Sequence, residues 1–184
     1  MAEITELLKR AEAGDEASLG RVFAELYPEL RRIAQARLRQ DSATLTPTAL
    51  VHDTFLKMTA GAALSLENRR HFFTCAARAM RLILVDHSRR AASVKRGGDR
   101  CRVTLDDDLA SDSGIDLDVL ALDRALDQLK QRRREQSEVV ELHCFAGLNF
   151  ADIAALMECS ESTAKRHWSR ARAYLHAQIE GCAP

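Results

Sequence analysis

Aromatic side chains are scarce in this 184-residue chain, with one Trp, two Tyr and six Phe making up 5% of it. Three prolines and eight glycines leave few breakers, and alternating β-branched runs of the kind that build sheets are missing. With Ala, Leu, Arg and Glu recurring throughout, these lacks argue against a sandwich or barrel and for an all-helical protein. No apolar run approaches the roughly 20 residues that span a bilayer. The N-terminus MAEITELLKRAEAGDE is charged from its third residue, unlike a secretory leader, so a cytoplasmic protein with no membrane association is expected. The five cysteines (Cys75, Cys101, Cys144, Cys159 and Cys182) are odd in number and scattered, with no C-x-x-C pair, which favours reduced thiols over a disulfide framework or zinc site. Net charge is also lacking: 27 Lys and Arg balance 27 Asp and Glu, which excludes a histone-like protein coating DNA without selectivity.

A hydrophobic content of 46% suffices for a real core in one domain or two small ones. The zero net charge hides a segregation. From Asn68 to Arg102 ten cations face only Asp86 and Asp99, whereas from Val103 to Gln128 eight aspartates face Arg124 alone. Gly97, Gly98 and the Asp-rich run to Asp118 read as a flexible acidic linker, since clustered like charges repel and little there can be buried. Asp106, Asp107 and Asp108 suggest Mg²⁺ at first sight, but consecutive carboxylates point in different directions and no phosphate-cradling loop accompanies them. His143 and Cys144 diverge by about 100° on a helix, so no metal site is expected there and both belong to the core.

Helical apolar spacing marks Ile4 to Ala13 and Glu16 to Leu38, the second with a stripe of Val22, Phe23, Leu26, Leu30 and Ile33. Thr46 then caps and Pro47 suits a first helical position, so TPTALVHDTFLKM is predicted as a helix. Its main stripe is Val51, Phe55 and Met58. Leu56 lies on the other side near Ala49, His52 and Asp53, which marks a partner-binding surface unless another helix covers it. The next helix, Arg69 to Ala92, is predicted to bury Phe73, Ala76, Ala77, Met80 and Leu84 and to project Arg78, Arg81 and Arg89 from its far side toward a polyanion. After the acidic run, Leu117, Leu120, Leu122, Ala125 and Leu129 support one helix, and Val139, Leu142, His143 and Phe145 support another.

The segment from Gly147 to Leu175, GLNFADIAALMECSESTAKRHWSRARAYL, reads as a helix-turn-helix. Asn149 and Ser160 are N-caps, and Phe150, Ile153, Ala154 and Met157 form the stripe of a short first helix. In the second helix Ala164, Trp168, Ala171 and Leu175 share one buried stripe. Ser162, Lys165, Arg166 and Ser169 lie opposite, with Arg170 and Arg172 at the margins. A short helix, a tight turn and a capped basic helix place the second helix in a major groove.

In this order the segments resemble the extracytoplasmic-function (ECF) sigma factors of the bacterial sigma-70 superfamily over nearly the whole chain. TALVHDTFLKM looks like the helix that docks on the polymerase clamp, NRRHFFTCAARAMRLILVDHSRR like the segment that opens and reads the minus-10 element, and SEVVELHCFAGLNFADIAALMECSESTAKRHWSRARAYL like the minus-35 reader. The resemblance implies an all-α fold of two small helical domains joined by the acidic linker: residues 1–96, a linker over 97–117, and a helix-turn-helix domain over 118–181. It implies a transcription initiation factor that binds RNA polymerase core and directs it to promoters. Asp53, Leu56 and Lys57 would hold the core; Asn68, Arg69, Arg78, Arg89 and Arg90 would contact unpaired minus-10 bases; Ser162, Thr163, Lys165, Arg166 and Arg170 would contact the minus-35 duplex. The linker resembles the segment threaded through the polymerase interior, where its aspartates would imitate nucleic acid. An anti-sigma factor is a further partner that the resemblance allows.

No catalytic group and no cofactor is implied. The alternative within DNA binding is a helix-turn-helix regulator that is not a polymerase subunit, which would call for a ligand pocket or a phosphoacceptor. Two departures from the family pattern stand out. Glu158 occupies a turn position where Gly is common, so it either adopts a left-handed backbone at about 1 kcal/mol or makes a different turn. Phe72 and Phe73 fall where Trp is frequent, and Trp168, on a buried stripe, belongs to the core.

Overall fold

The structure is a computed structural model, and it describes residues 6–7, 9–10, 15–37, 45–59, 68–94, 102–105 and 115–181. Helix α1 (Glu16–Arg37) begins at Asp15. The Asp15 carboxylate accepts the backbone N–H groups of Ala17 and Ser18 and, at 2.6 Å, the Ser18 hydroxyl. Those bonds, the Ser18 hydroxyl first, hold its carboxyl below the ordinary value. Val22, Phe23, Leu26 and Leu30 are buried as their spacing predicts. The side chain of Ile33 and most of the helix expected over Ile4 to Ala13 lie outside the described residues, although residues 6–7 and 9–10 are helical and Leu7 is buried.

Helix α2 (Pro47–Thr59) starts as predicted, with the Thr46 hydroxyl accepting the Ala49 N–H at 3.2 Å. Leu50, Val51 and Met58 are buried, and the Thr54 hydroxyl donates to the Leu50 carbonyl, so the one polar group on that face is satisfied. Helix α3 (Arg69–Val94) is capped by Asn68, whose side chain accepts the His71 N–H at 2.9 Å. Phe72, Phe73, Ala76, Ala77, Met80 and Leu84 are buried along it. Phe23 joins the three helices, edge-on to Phe55 at 4.9 Å and to Phe72 at 5.4 Å.

The segment expected to be an unstructured linker contains two short strands at its ends. Strand β1 (Arg102–Leu105) pairs antiparallel with β2 (Ile115–Asp118), with Val103 opposite Leu117 and Leu105 opposite Ile115. Val103, Leu105 and Leu117 are buried, and Val103 and Leu105, two apart on a strand, share one face. Leu117, assigned from sequence to the following helix, is therefore a strand residue. Gly97, Gly98, Asp106, Asp107, Asp108 and Asp112 lie outside the described residues.

Helix α4 (Val119–Arg132) follows directly, capped by Asp118, whose carboxylate accepts the Leu120 N–H. Helices α5 (Arg134–Cys144), α6 (Phe150–Leu156) and α7 (Glu161–Glu180) complete the chain. Helices α4, α5 and α7 pack on one another and α6 on α7; α3 packs against α2 on one side and against α4 and α5 on another. Strand β1 touches both α1 and α5. Among the described residues the fold is thus all-α apart from one antiparallel strand pair, and the buried apolar residues form a single continuous cluster from Leu7 to Leu175.

Candidate nucleic-acid interface

Both caps of the helix-turn-helix form as expected. Asn149 accepts the Asp152 N–H at 2.8 Å and Ser160 the Thr163 N–H at 3.1 Å. Ala164, Trp168, Ala171 and Leu175 are buried, which fixes the rotation of α7 and turns Ser162, Lys165, Arg166, Ser169 and Arg170 to the surface. Thr163 is half-buried, its hydroxyl 2.9 Å from that of Ser160. The Lys165 ammonium sits 2.7 Å from Glu161 and 6.0 Å from the Phe150 ring centroid, so a neighbouring carboxylate holds it loosely over the groove between α6 and α7. Such an exposed i,i+4 pair is worth only about 0.3–0.5 kcal/mol, little hindrance to exchanging the carboxylate for a phosphate.

The turn takes the first of the two options open to it: Glu158 has φ 54°, the left-handed region. The Cys159 N–H reaches back to the Ala154 carbonyl at 3.0 Å, closing a Schellman-type end with Glu158 in the position glycine usually fills. The other side of the unit is tied by His143. Its Nδ1 lies 2.8 Å from the Leu148 carbonyl oxygen, so Nδ1 carries the proton and donates. The ring stacks on Phe150 at 4.6 Å and meets Trp168 edge-on at 4.7 Å. His143 is thus a core residue that joins α5 to both helices of the motif, and Cys144 beside it is buried too. Among the described residues no group of three His, Cys, Asp or Glu is placed to hold a metal ion.

On α3 the predicted basic residues divide. Asn68, Arg78, Arg89 and Arg90 are exposed, and Arg69 is half-buried with its guanidinium 5.3 Å from the Phe73 centroid. Arg81 was expected to project outward with Arg78 and Arg89, and it does not. Its side chain is 5% exposed, with Nε 3.2 Å from Asp123, Nη1 3.1 Å from Glu141 and Nη2 2.7 Å from Asp127. The physical reason is that α3 has a second buried face, against α4 and α5, where an arginine survives only by pairing. Arg70 lies on the same face, four residues before Thr74 and eleven before Arg81. It makes a two-pronged contact with Glu138, Nε at 2.7 Å and Nη2 at 2.8 Å, which raises its already high pKa. Burial pushes the Glu141 carboxyl above its ordinary range, opposed by Arg81. Sequence reasoning missed Arg70 and Arg81 as a paired set. The signal was available in the spacing Arg70, Thr74, Ala77, Arg81 opposite the Asp-rich stretch.

On α2, Leu56 is 48% exposed and, with Tyr27, is a large apolar side chain left on the surface among the described residues. His52 and Asp53 beside it are exposed, and Lys57 reaches Asp86 of α3 at 3.6 Å. No described helix covers this face.

A helical chain with a capped basic helix-turn-helix, a second exposed basic helix face and an uncovered leucine defines a DNA-binding protein equipped for a protein partner. The chain belongs to the ECF sigma factors, whose family model matches residues 1–181. Among solved structures it is similar to the sigma factor RpoE of Bartonella quintana, in complex with the anti-sigma factor NepR, with 22% identity over 89% of this chain and 98% of that chain and a TM-score of 0.37. No curated protein matches. As a member of this family the chain is a transcription initiation factor that binds RNA polymerase core and directs it to promoters. Sigma factors are DNA-binding initiation factors and not enzymes, and a regulator acting apart from polymerase is not favoured. No described helix is long and apolar enough to cross a membrane.

Proposed function

We propose that the work is divided between two units, residues 1–96 and 118–181, joined through 97–117. The α2 face of Asp53, Leu56 and Lys57 docks on polymerase core, and α3 reads the minus-10 element through Asn68, Arg69, Arg78, Arg89 and Arg90. Helix α7 enters the minus-35 major groove with Ser162, Thr163, Lys165, Arg166 and Arg170. The observation that carries this assignment is the rotation of α7: four buried residues on one stripe leave Ser162, Lys165, Arg166 and Arg170 together on the open side. Each base-edge contact from Lys165 or Arg166 would supply about 1–3 kcal/mol of discrimination, and phosphate contacts would add affinity that falls with salt. Both readers carried on one polymerase gain effective concentration, so the holoenzyme binds promoters that the free factor binds weakly. The protein acts in the cytoplasm, where polymerase is, and an anti-sigma factor, as seen with the Bartonella RpoE, is a natural regulator.

The test uses two double variants. Lys165→Ala with Arg166→Ala is expected to abolish promoter-directed transcription while core binding persists. Asp53→Arg with Leu56→Asp is expected to lose core binding itself. Failure of both pairs at the same step would show that the division is wrong.

A further inference from the structure

Helix α7 carries one acid at its start and one at its end, Glu161 and Glu180, with only cations and neutral residues between them. Glu161 is its first residue, held where the chain turns into the helix by the Ser160 cap, whose hydroxyl accepts the Thr163 N–H at 3.1 Å and lies 2.9 Å from the Ser162 hydroxyl. The Glu161 carboxylate is exposed and reaches the Lys165 ammonium one turn on, at 2.7 Å. The first residues of a recognition helix are the ones that meet base edges. A carboxylate placed there faces a polyanion, which weakens binding to every sequence unless a hydrogen-bond donor on a base receives it.

Resting on the function proposed above, we infer that Glu161 and Lys165 act as one reading unit that selects a single G·C base pair in the minus-35 element: Lys165 donates to the guanine, and Glu161 accepts from the N4 amino group of the paired cytosine. A carboxylate offers only acceptors, and in the major groove the donors are cytosine N4 and adenine N6. An ammonium offers only donors, and guanine presents the acceptors N7 and O6. On a G·C pair those two acceptors lie together and the donor follows them, so each charge of the unit meets its own partner. On an A·T pair the single donor stands between acceptors, and the thymine methyl crowds one of them.

The geometry suits a unit rather than two separate contacts. Guanine O6 and cytosine N4 are hydrogen-bonded to each other within the pair, at the ordinary spacing of about 2.9 Å. The 2.7 Å between the Glu161 carboxylate and the Lys165 ammonium matches it. The ion pair therefore engages the base edge without parting, whereas a phosphate would have to displace the carboxylate. The Phe150 ring centroid lies 6.0 Å from the ammonium, so the lysine rests between carboxylate and ring. Selection then comes from rejection as much as from attraction, because a guanine or thymine set against the carboxylate brings acceptor against acceptor.

The experiment uses holoenzyme reconstituted from the full chain and RNA polymerase core, with promoter templates whose minus-35 region is randomised; the bound templates are sequenced. Wild type should enrich a G·C pair at one position by about 10-fold or more over the other pairs there. Glu161→Gln should lose most of that preference, chiefly by accepting the other pairs, and Lys165→Ala should loosen the same position. Glu161→Asp keeps the charge at the helix start but shortens the arm, so it too should relax the preference, whereas a role confined to the helix dipole would leave its selection like wild type. Thermal melts monitored by circular dichroism check that each variant is folded. Folded Glu161 variants that keep the wild-type preference, with affinity altered alike for all templates, would overturn the reading unit. So would Glu161 and Lys165 variants that loosen different positions, or a wild-type preference for A·T at the position both loosen. Wild type that enriches no minus-35 sequence would refute the proposed reader itself, and the base-pair assignment with it.

Discussion

Replacing Glu158 with glycine should stabilise the protein, although it removes a side chain and adds no contact. The backbone there has φ 54°, and the Cys159 N–H to Ala154 carbonyl bond at 3.0 Å holds it so. A left-handed residue bearing a Cβ costs about 1–2 kcal/mol. Glycine adopts the conformation freely, but its unfolded chain has more freedom to lose, which takes back about 0.5–1 kcal/mol. The expected net gain is about 0.5–1 kcal/mol, or roughly 1–4 °C in melting temperature for a chain of this size. Charge must be separated from backbone, because Glu158 also contributes to the raised pKa of Arg70. Glu158→Gln supplies that control, removing the charge and keeping the Cβ, and Glu158→Asn should fall between, since Asn tolerates the left-handed region better than Glu. The assay is thermal unfolding of all four proteins followed by circular dichroism. The reasoning would be refuted if Glu158→Gly melted no higher than Glu158→Gln.

Other expectations follow from the same contacts. His143→Leu keeps the apolar volume but strands the Leu148 carbonyl, which should cost about 1–3 kcal/mol in a denaturant titration; an unchanged midpoint would mean that this bond does not anchor the motif. The single variant Lys165→Ala should reduce the salt dependence of promoter binding by about one unit of log–log slope if the lysine contacts a phosphate, whereas a base contact would leave the slope and alter sequence preference. For pH, burial raises the Glu141 carboxyl above its ordinary 4.5, with Arg81, Lys130 and Arg78 opposing and Asp127 adding to the rise. The folded chain therefore keeps a proton that the unfolded chain has released, and stability falls as pH rises through the window above 4.5, then levels off once Glu141 is ionised in both states. Glu141→Gln should flatten that part of the stability curve, and an unaltered slope would place its origin elsewhere.

Local rules made most of the helices legible. Capping residues Thr46, Asn149 and Ser160 mark helix starts that form where expected, and the stripe Ala164, Trp168, Ala171, Leu175 alone fixes which face of α7 is exposed. Leu56 stood out because an apolar residue lay among polar neighbours, and it is exposed. Two features escaped because they depend on pairing between distant segments. The short alternation Val103-Thr104-Leu105 and its partner Ile115-Asp116-Leu117 carry a strand period, but the aspartates between and around them dominate any count of charge. Arg81 looked like one more outward cation, since a helix pattern by itself cannot show that a second face will be covered by α4 and α5. The charge segregation was visible in the sequence, and its physical meaning emerged only when the two halves were seen in contact.

The central claim, that this ECF sigma factor confers promoter selection on polymerase, is tested most directly by reconstitution. Purified chain would be combined with RNA polymerase core from the same cell and fragmented genomic DNA as template, and the 5′ ends of the transcripts sequenced. The account predicts that the factor adds a discrete set of start sites, each preceded by the same pair of sequence elements, and that core alone initiates at none of them. Start sites that are identical with and without the factor would contradict it.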